Sequence, residues 1–260
     1  MTRALRAARH YLPAALFLAA LIVVWDVWVR VAGTPSYLMP PPGSLLDAFL
    51  DQRGVLPGHI RTTLTEALLG LALAALLGVT TAALIASLPL ARRVLYPLLV
   101  VSQNIPVLVL APLLAVWFGF GLTPKVVIVV LIGFFPIAVN TADGLMNADR
   151  EMVALVRSMG ADRLKVLRLV LIPSAVPSFF AGLQIGAAYA VIAAVIAEWM
   201  GASSGLGLFI VRSQRAFRTD QIFMAVVLIA LISIALFVCV HLLARYSMPW
   251  RHAGAPAEGD

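Results

Sequence analysis

The chain has 260 residues, of which 62% are hydrophobic and only 12% charged. A soluble domain carries about twice that share of charge, so a water-exposed globule is excluded and most of the chain must face lipid or other membrane helices. The formal charge is +7, but the basic residues fall mostly between apolar runs. That pattern points to membrane topology and anionic lipid rather than nucleic acid.

Arg3, Arg6 and Arg9 precede an apolar run from Leu12 to Val31. The start resembles a signal peptide, yet the run continues with no small-residue cleavage site, so a retained first span over 12–31 is expected. In the 32–59 connection, Pro40-Pro41-Pro42-Gly43 enforces extended chain and a turn. Ser44 is placed to cap a short amphipathic helix carrying Leu45, Leu46 and Phe49. Five more apolar segments follow, at 60–88, 94–118, 124–142, 178–200 and 221–245. Backbone polar groups in lipid must be satisfied within the segment, so each is read as a helix. The expectation is an all-α polytopic membrane protein with about six transmembrane helices, in a single domain spanning 1–260.

Small residues recur every fourth position in two segments, as Gly70, Ala74, Gly78, Ala82 and Ala86, and as Gly182, Gly186, Ala190 and Ala194. Such seams let membrane helices approach closely. Glu198 comes next along the second seam. It is read either as lining a gate or contacting solute, or as an interfacial acid paired with Arg212 or Arg215. Asp26 and Glu66 are assigned structural roles. Gln103, Asn104 and Gln184 are uncharged and deeper, and so are candidates for a solute path. Asn104 precedes Ile105-Pro106, so it can either join a polar patch with the carbonyl that Pro106 frees or satisfy the broken helix locally. Residues 119–123 form a tight turn and 201–220 a polar loop.

The longest connection, about 143–177, carries the functional argument. Met152, Leu155, Val156 and Met159 fall at i, i+3, i+4, i+7, one face of a helix. Glu151 and Arg157 lie off that face. Gly160 stands where a helix takes a left-handed last residue, and Asp162 can cap a second helix. That helix is striped by Leu164, Leu167 and Leu171, and Pro173 is expected to limit it. On pattern alone, this is a bent helix pair at the membrane face. If the N-terminus is cytoplasmic, the segments on the cytoplasmic side hold the larger share of the 19 Lys and Arg, and both termini lie inside. The four histidines lack metal-ligand spacing, no phosphate-binding Gly-Lys-Ser/Thr loop is present, and Cys239 stands alone in an apolar run.

Gly160, followed after nine residues by Val170-Leu171-Ile172-Pro173, resembles the cytoplasmic loop of ABC-importer permeases. There a Glu-Ala-Ala triplet precedes the Gly, and Ile-x-Leu-Pro follows it. The triplet position here holds Ala154-Leu155-Val156, and Glu151 sits one turn earlier than the family acid. Residues 197–207 (Ala-Glu-Trp-Met-Gly-Ala-Ser-Ser-Gly-Leu-Gly), Gln103 to Pro106, Ala111-Pro112-Leu113, 117–121, Thr219-Asp220 and a basic tail over 246–260 with Trp250-Arg251 resemble the nitrate/sulfonate/taurine-type branch, which includes permeases for thiamine-precursor pyrimidines.

The resemblance implies a type I ABC-importer permease fold in a bacterial inner membrane, paired as a homodimer. It implies an ATP-driven importer for a small polar or anionic solute, handed over by a periplasmic or lipid-anchored solute-binding protein. It also implies a cytoplasmic ATP-binding subunit that holds ATP and Mg, leaving this chain with no cofactor and no catalytic or metal site. That subunit would meet Glu151, Ala154, Leu155, Arg157, Met159, Gly160, Ala161, Asp162, Leu164 and Pro173. The other readings are a gradient-driven secondary transporter, whose inverted repeats and midplane ionisable residues are not visible here, and a membrane enzyme, for which no catalytic pair stands out.

Overall fold

Long apolar segments leave the backbone only its own helical hydrogen bonds, and helices dominate the structure. The structure, a computed structural model, describes residues 2–249. The tail with Trp250, Arg251 and His252 therefore lies outside the described residues. Helices run in the order α1 (Thr2–Val31), α2 (Pro42–Gln52), α3 (Leu56–Ser87), α4 (Pro89–Ser102), α5 (Val107–Phe118), α6 (Leu122–Met146), α7 (Arg150–Ser158) and α8 (Arg163–Val166). A π-helical turn, Leu167–Leu171, then leads into α9 (Ile172–Glu198), α10 (Leu206–Arg215) and α11 (Thr219–Ser247). No strand occurs among the described residues. Among the described residues, five helices are long and apolar enough to cross a membrane: 12–31 within α1, α3, α6, the stretch from α8 through α9, and α11.

The expected span at 94–118 is divided. It forms α4 and α5, separated by the non-helical residues Gln103 to Pro106. Pro106 cannot donate into the preceding turn, and its ring disfavours helical backbone before it. Three further corrections are local. Ser44 lies inside α2, whose N-cap is Pro41, and its hydroxyl donates back to the Pro41 carbonyl at 2.8 Å. Pro173 does not end the second helix of the 143–177 connection. The Ile172 amide donates to the Leu167 carbonyl five residues back, and this π turn carries the helix across the proline. The 201–220 loop contains α10.

The described residues form two compact units, 2–57 with 209–228 and 58–208 with 229–249. In the first, Trp25 and Phe223 stack with centroids 5.6 Å apart, and the Thr219 hydroxyl donates to the Tyr37 carbonyl at 2.6 Å. Arg30 pairs with Asp26 at 2.8 Å on an exposed face, consistent with the structural role assigned to Asp26.

In the second unit the small residues lie inside and the large ones outside. On α3, Ala67, Ala74 and Ala82 are fully buried while Leu76 is 60% exposed; on α9, Ala187 and Ala194 are fully buried while Tyr189 is 53% exposed. Outward leucines cost nothing in lipid, so close backbone approach decides the packing. Both small-residue seams meet the same neighbour, α6. A Cβ on Gly182 would stand 2.5 Å from the Pro136 carbonyl oxygen and 2.9 Å from the Ile137 Cα, and one on Gly78 would stand 2.8 Å from the Ile137 side chain. Ile137 of α6 is thus wedged between α3 and α9. Ala86, the last seam position, has drifted to an exposed face, as a four-residue repeat does on a 3.6-residue helix.

Candidate coupling elbow and solute path

The elbow is built from local capping. Asp149 caps α7 by accepting from the Glu151 amide at 2.8 Å and from the Met152 amide. Gly160 closes the helix at φ +82°, a left-handed conformation in which a side chain would be strained. Asp162 caps α8 by accepting from the Lys165 amide at 2.9 Å. The apolar stripe faces outward: Met152, Leu155, Met159 and Leu164 are all exposed, Met159 by 79%. Glu151, Ala154, Arg157 and Gly160 are exposed with it, while Ala161 and Pro173 are half-buried. A capped two-turn helix with bare methionine and leucine is a surface made to be covered.

At the other end of the second unit, polar groups are buried and paired with one another, save the Glu66 Oε2, which has no partner among the described residues. Glu198 is 1% exposed; it accepts from the Thr63 hydroxyl at 2.6 Å and from the Gly207 amide. This burial excludes the reading of Glu198 as an acid in interfacial water. Thr63 in turn accepts from the Leu206 amide at 2.9 Å, and the His59 Nδ1 lies 3.0 Å from the Gly205 amide. One turn further along α3, Glu66 pairs with Lys125 of α6 at 2.6 Å, both buried. Sequence reasoning gave Glu66 a structural role, counted His59 only among four histidines without metal-ligand spacing and Lys125 only among the basic residues that set topology, and left Thr63 unremarked. The available signal was an alternation of polar residues, His59, Thr62, Thr63 and Glu66, along one side of an otherwise apolar segment.

The remaining path candidates lie in separate places. Asn104 donates to the carbonyls of Val100 and Val101, each at 3.2 Å, and so satisfies the broken turn locally. Gln103 is exposed, and its side-chain amide has no partner among the described residues. Gln184 lies half-buried beside His241, 3.4 Å from its Nδ1, at a cavity of about 520 Å³. The structure does not bring Gln103, Gln184 and Glu198 together within the single chain. No cluster of three metal-ligating side chains is present among the described residues.

An all-helical bundle with an outward-facing bent helix pair between two spans is the architecture of a transporter's membrane component. Residues 56–252 match the family of binding-protein-dependent transport system inner membrane components, and the chain belongs to that family. It is 38% identical to the formylaminopyrimidine transport permease protein ThiX of Halalkalibacterium halodurans, over 91% of this chain and 94% of that one. It is 36% identical to the riboflavin transport system permease protein RibX of Chloroflexus aurantiacus, over 92% and 89%. It is 29% identical to the taurine transport system permease protein TauC of Escherichia coli, over 90% and 87%. A crystal structure of an amino acid ABC transporter shares the fold, with a TM-score of 0.61 at 18% identity over 77% of this chain and 96% of that one. The protein is thus a multi-pass membrane permease of an ABC importer, a class that works with an ATP-binding subunit and a solute-binding protein.

Proposed function

We propose that two copies of this chain enclose the solute path, with the α7–α8 elbow seated in a groove of a cytoplasmic subunit that binds ATP and Mg and hydrolyses the nucleotide. Support comes from the elbow itself, whose caps are complete and whose apolar stripe is bare. On this reading Glu151, Leu155, Arg157, Met159 and Leu164 touch the ATPase, Gly160 sets the bend, and the elbow end faces the cytoplasm with both termini. A solute-binding protein then docks at the Glu198 end.

The path includes the break at 103–106. Non-helical backbone at membrane depth is tolerated only where protein or water covers it, and Gln103, Asn104 and Ile105 are exposed in the single chain. The second copy and the aqueous path are what cover them. No Lys or Arg lies between 94 and 124, and Lys125 is already paired. A neutral lining suits a small hydrogen-bonding heterocycle, the kind that the names of the 38% and 36% identical relatives carry, better than a bare sulfonate, whose charge would lack a counter-ion.

The test is co-expression with the candidate ATPase, comparing wild type with Gly160→Trp. Wild type should retain the ATPase through purification. The variant should fold, by circular dichroism and size exclusion, yet lose the ATPase or its coupled transport. Failure of folded wild type to retain any ATPase would sink the proposal. In vesicles, Gln103→Ala should raise KM for an aminopyrimidine while leaving the ATPase bound.

A further inference from the structure

Beneath the elbow lies a cavity of about 940 Å³ that, Arg157 apart, is lined by residues to which neither the coupling surface nor the solute path gives a role. Its walls are the elbow-proximal thirds of α3 and α6 and the start of α9, contributing Val79, Ala83, Leu145 and Phe179. Its rim carries Arg157 and Arg163, one from each arm of the elbow. Both are exposed, and neither guanidinium group has a hydrogen bond or ion pair among the described residues. A volume near 1,000 Å³ is that of a site for a drug-sized ligand, larger than the gaps ordinary packing leaves. The walls are apolar and the rim is cationic, so the complementary molecule has a hydrocarbon portion and an anionic head.

We propose that this cavity binds an anionic phospholipid, with one acyl chain against α3 and α6 and the phosphate between Arg157 and Arg163. Guanidinium forks match phosphate oxygens in pairs, and two of them define a headgroup seat. Basic pockets between helices at the cytoplasmic membrane face take such headgroups, and this cavity lies there on the orientation proposed above, on which the inference rests. A second cavity shares Pro89 with this one and carries Arg92 and Arg93 against the single acid Asp143, so its balance is also positive. Free phosphate would leave the apolar walls bare, and a neighbouring helix would leave the guanidinium groups unanswered. A lipid there would lie between the elbow and the bundle and brace both of its arms.

The experiment uses the full-length permease bound to its ATPase, delipidated in detergent and titrated by native mass spectrometry with phosphatidylglycerol and with phosphatidylcholine. Wild type should retain phosphatidylglycerol about tenfold or more tightly, the scale of two basic residues at a membrane surface. Arg157→Gln with Arg163→Gln should abolish that preference. Ala83→Trp, which fills the cavity, should lose both lipids while circular dichroism stays unchanged. Because wild-type permease alone can also be titrated, a failed ATPase association leaves this readout intact. Equal retention of the two lipids by wild type, or indifference to either change, overturns the proposal. So does full displacement by inorganic phosphate, which would mark a simple anion site. Loss of permease pairing in Ala83→Trp with phosphatidylglycerol still held would assign the groove to the second copy instead.

Discussion

The two ends of the 58–208 helical unit handle polar groups in opposite ways. At the Glu198 end, acids, hydroxyls and amides are buried and joined to each other: Glu198 to Thr63 and Gly207, Glu66 to Lys125. At the elbow end the caps are satisfied by backbone, but the methionine and leucine stripe and two guanidinium groups have nothing against them. An end that satisfies itself holds shape, whereas an end left unsatisfied is completed by something else. The first end fixes α3, α6 and the 199–207 segment as one piece, and the second waits for its partner.

The largest predicted effect tests the self-satisfied end. Lys125→Met leaves Glu66 as a buried acid without its cation, which costs about 3–5 kcal/mol for a broken buried pair. A thermal melt in detergent should show a large loss of folded protein; a wild-type melting temperature would break the comparison. Next is Gly205→Ala. Gly205 sits at φ +126°, and a Cβ there would run into the Glu198 carboxyl group. Overpacking of this kind costs about 1–3 kcal/mol, read as a lower melting temperature with faster proteolysis within 199–207. The smallest is Asp149→Ala, which removes the α7 cap at about 1 kcal/mol. Because α7 has no buried residue, the melt should barely move while ATPase retention falls. An equal drop in both would mean that the elbow is part of the folded core.

Local chemistry was legible in the sequence and distant pairing was not. Gly160 and Asp162 act within a few residues of themselves, so their spacing alone placed the bend and the second cap. The small-residue seams were equally readable, because lipid makes side-chain size rather than hydrophobicity the packing signal. Glu198 was noticed, but Thr63 is 135 residues away along the chain, and nothing in either neighbourhood announces the other. Lys125 likewise read as one more charge beside a turn until α6 carried it to Glu66, 59 residues earlier. Pro173 misled for a physical reason. A proline stops an α-helix by clashing with the carbonyl four residues back, and a π turn moves that carbonyl aside.

The divided helix also sets a problem for biosynthesis. At 1.5 Å per residue, the 14 residues of α4 and the 12 of α5 reach about 21 and 18 Å, short of the roughly 30 Å of hydrocarbon. Neither half can partition out of the insertion channel as an independent span, and the polar turn between them has no place in bare lipid. This segment settles in the bilayer only when α6, which is made after it, packs against it, so its assembly lags behind its synthesis.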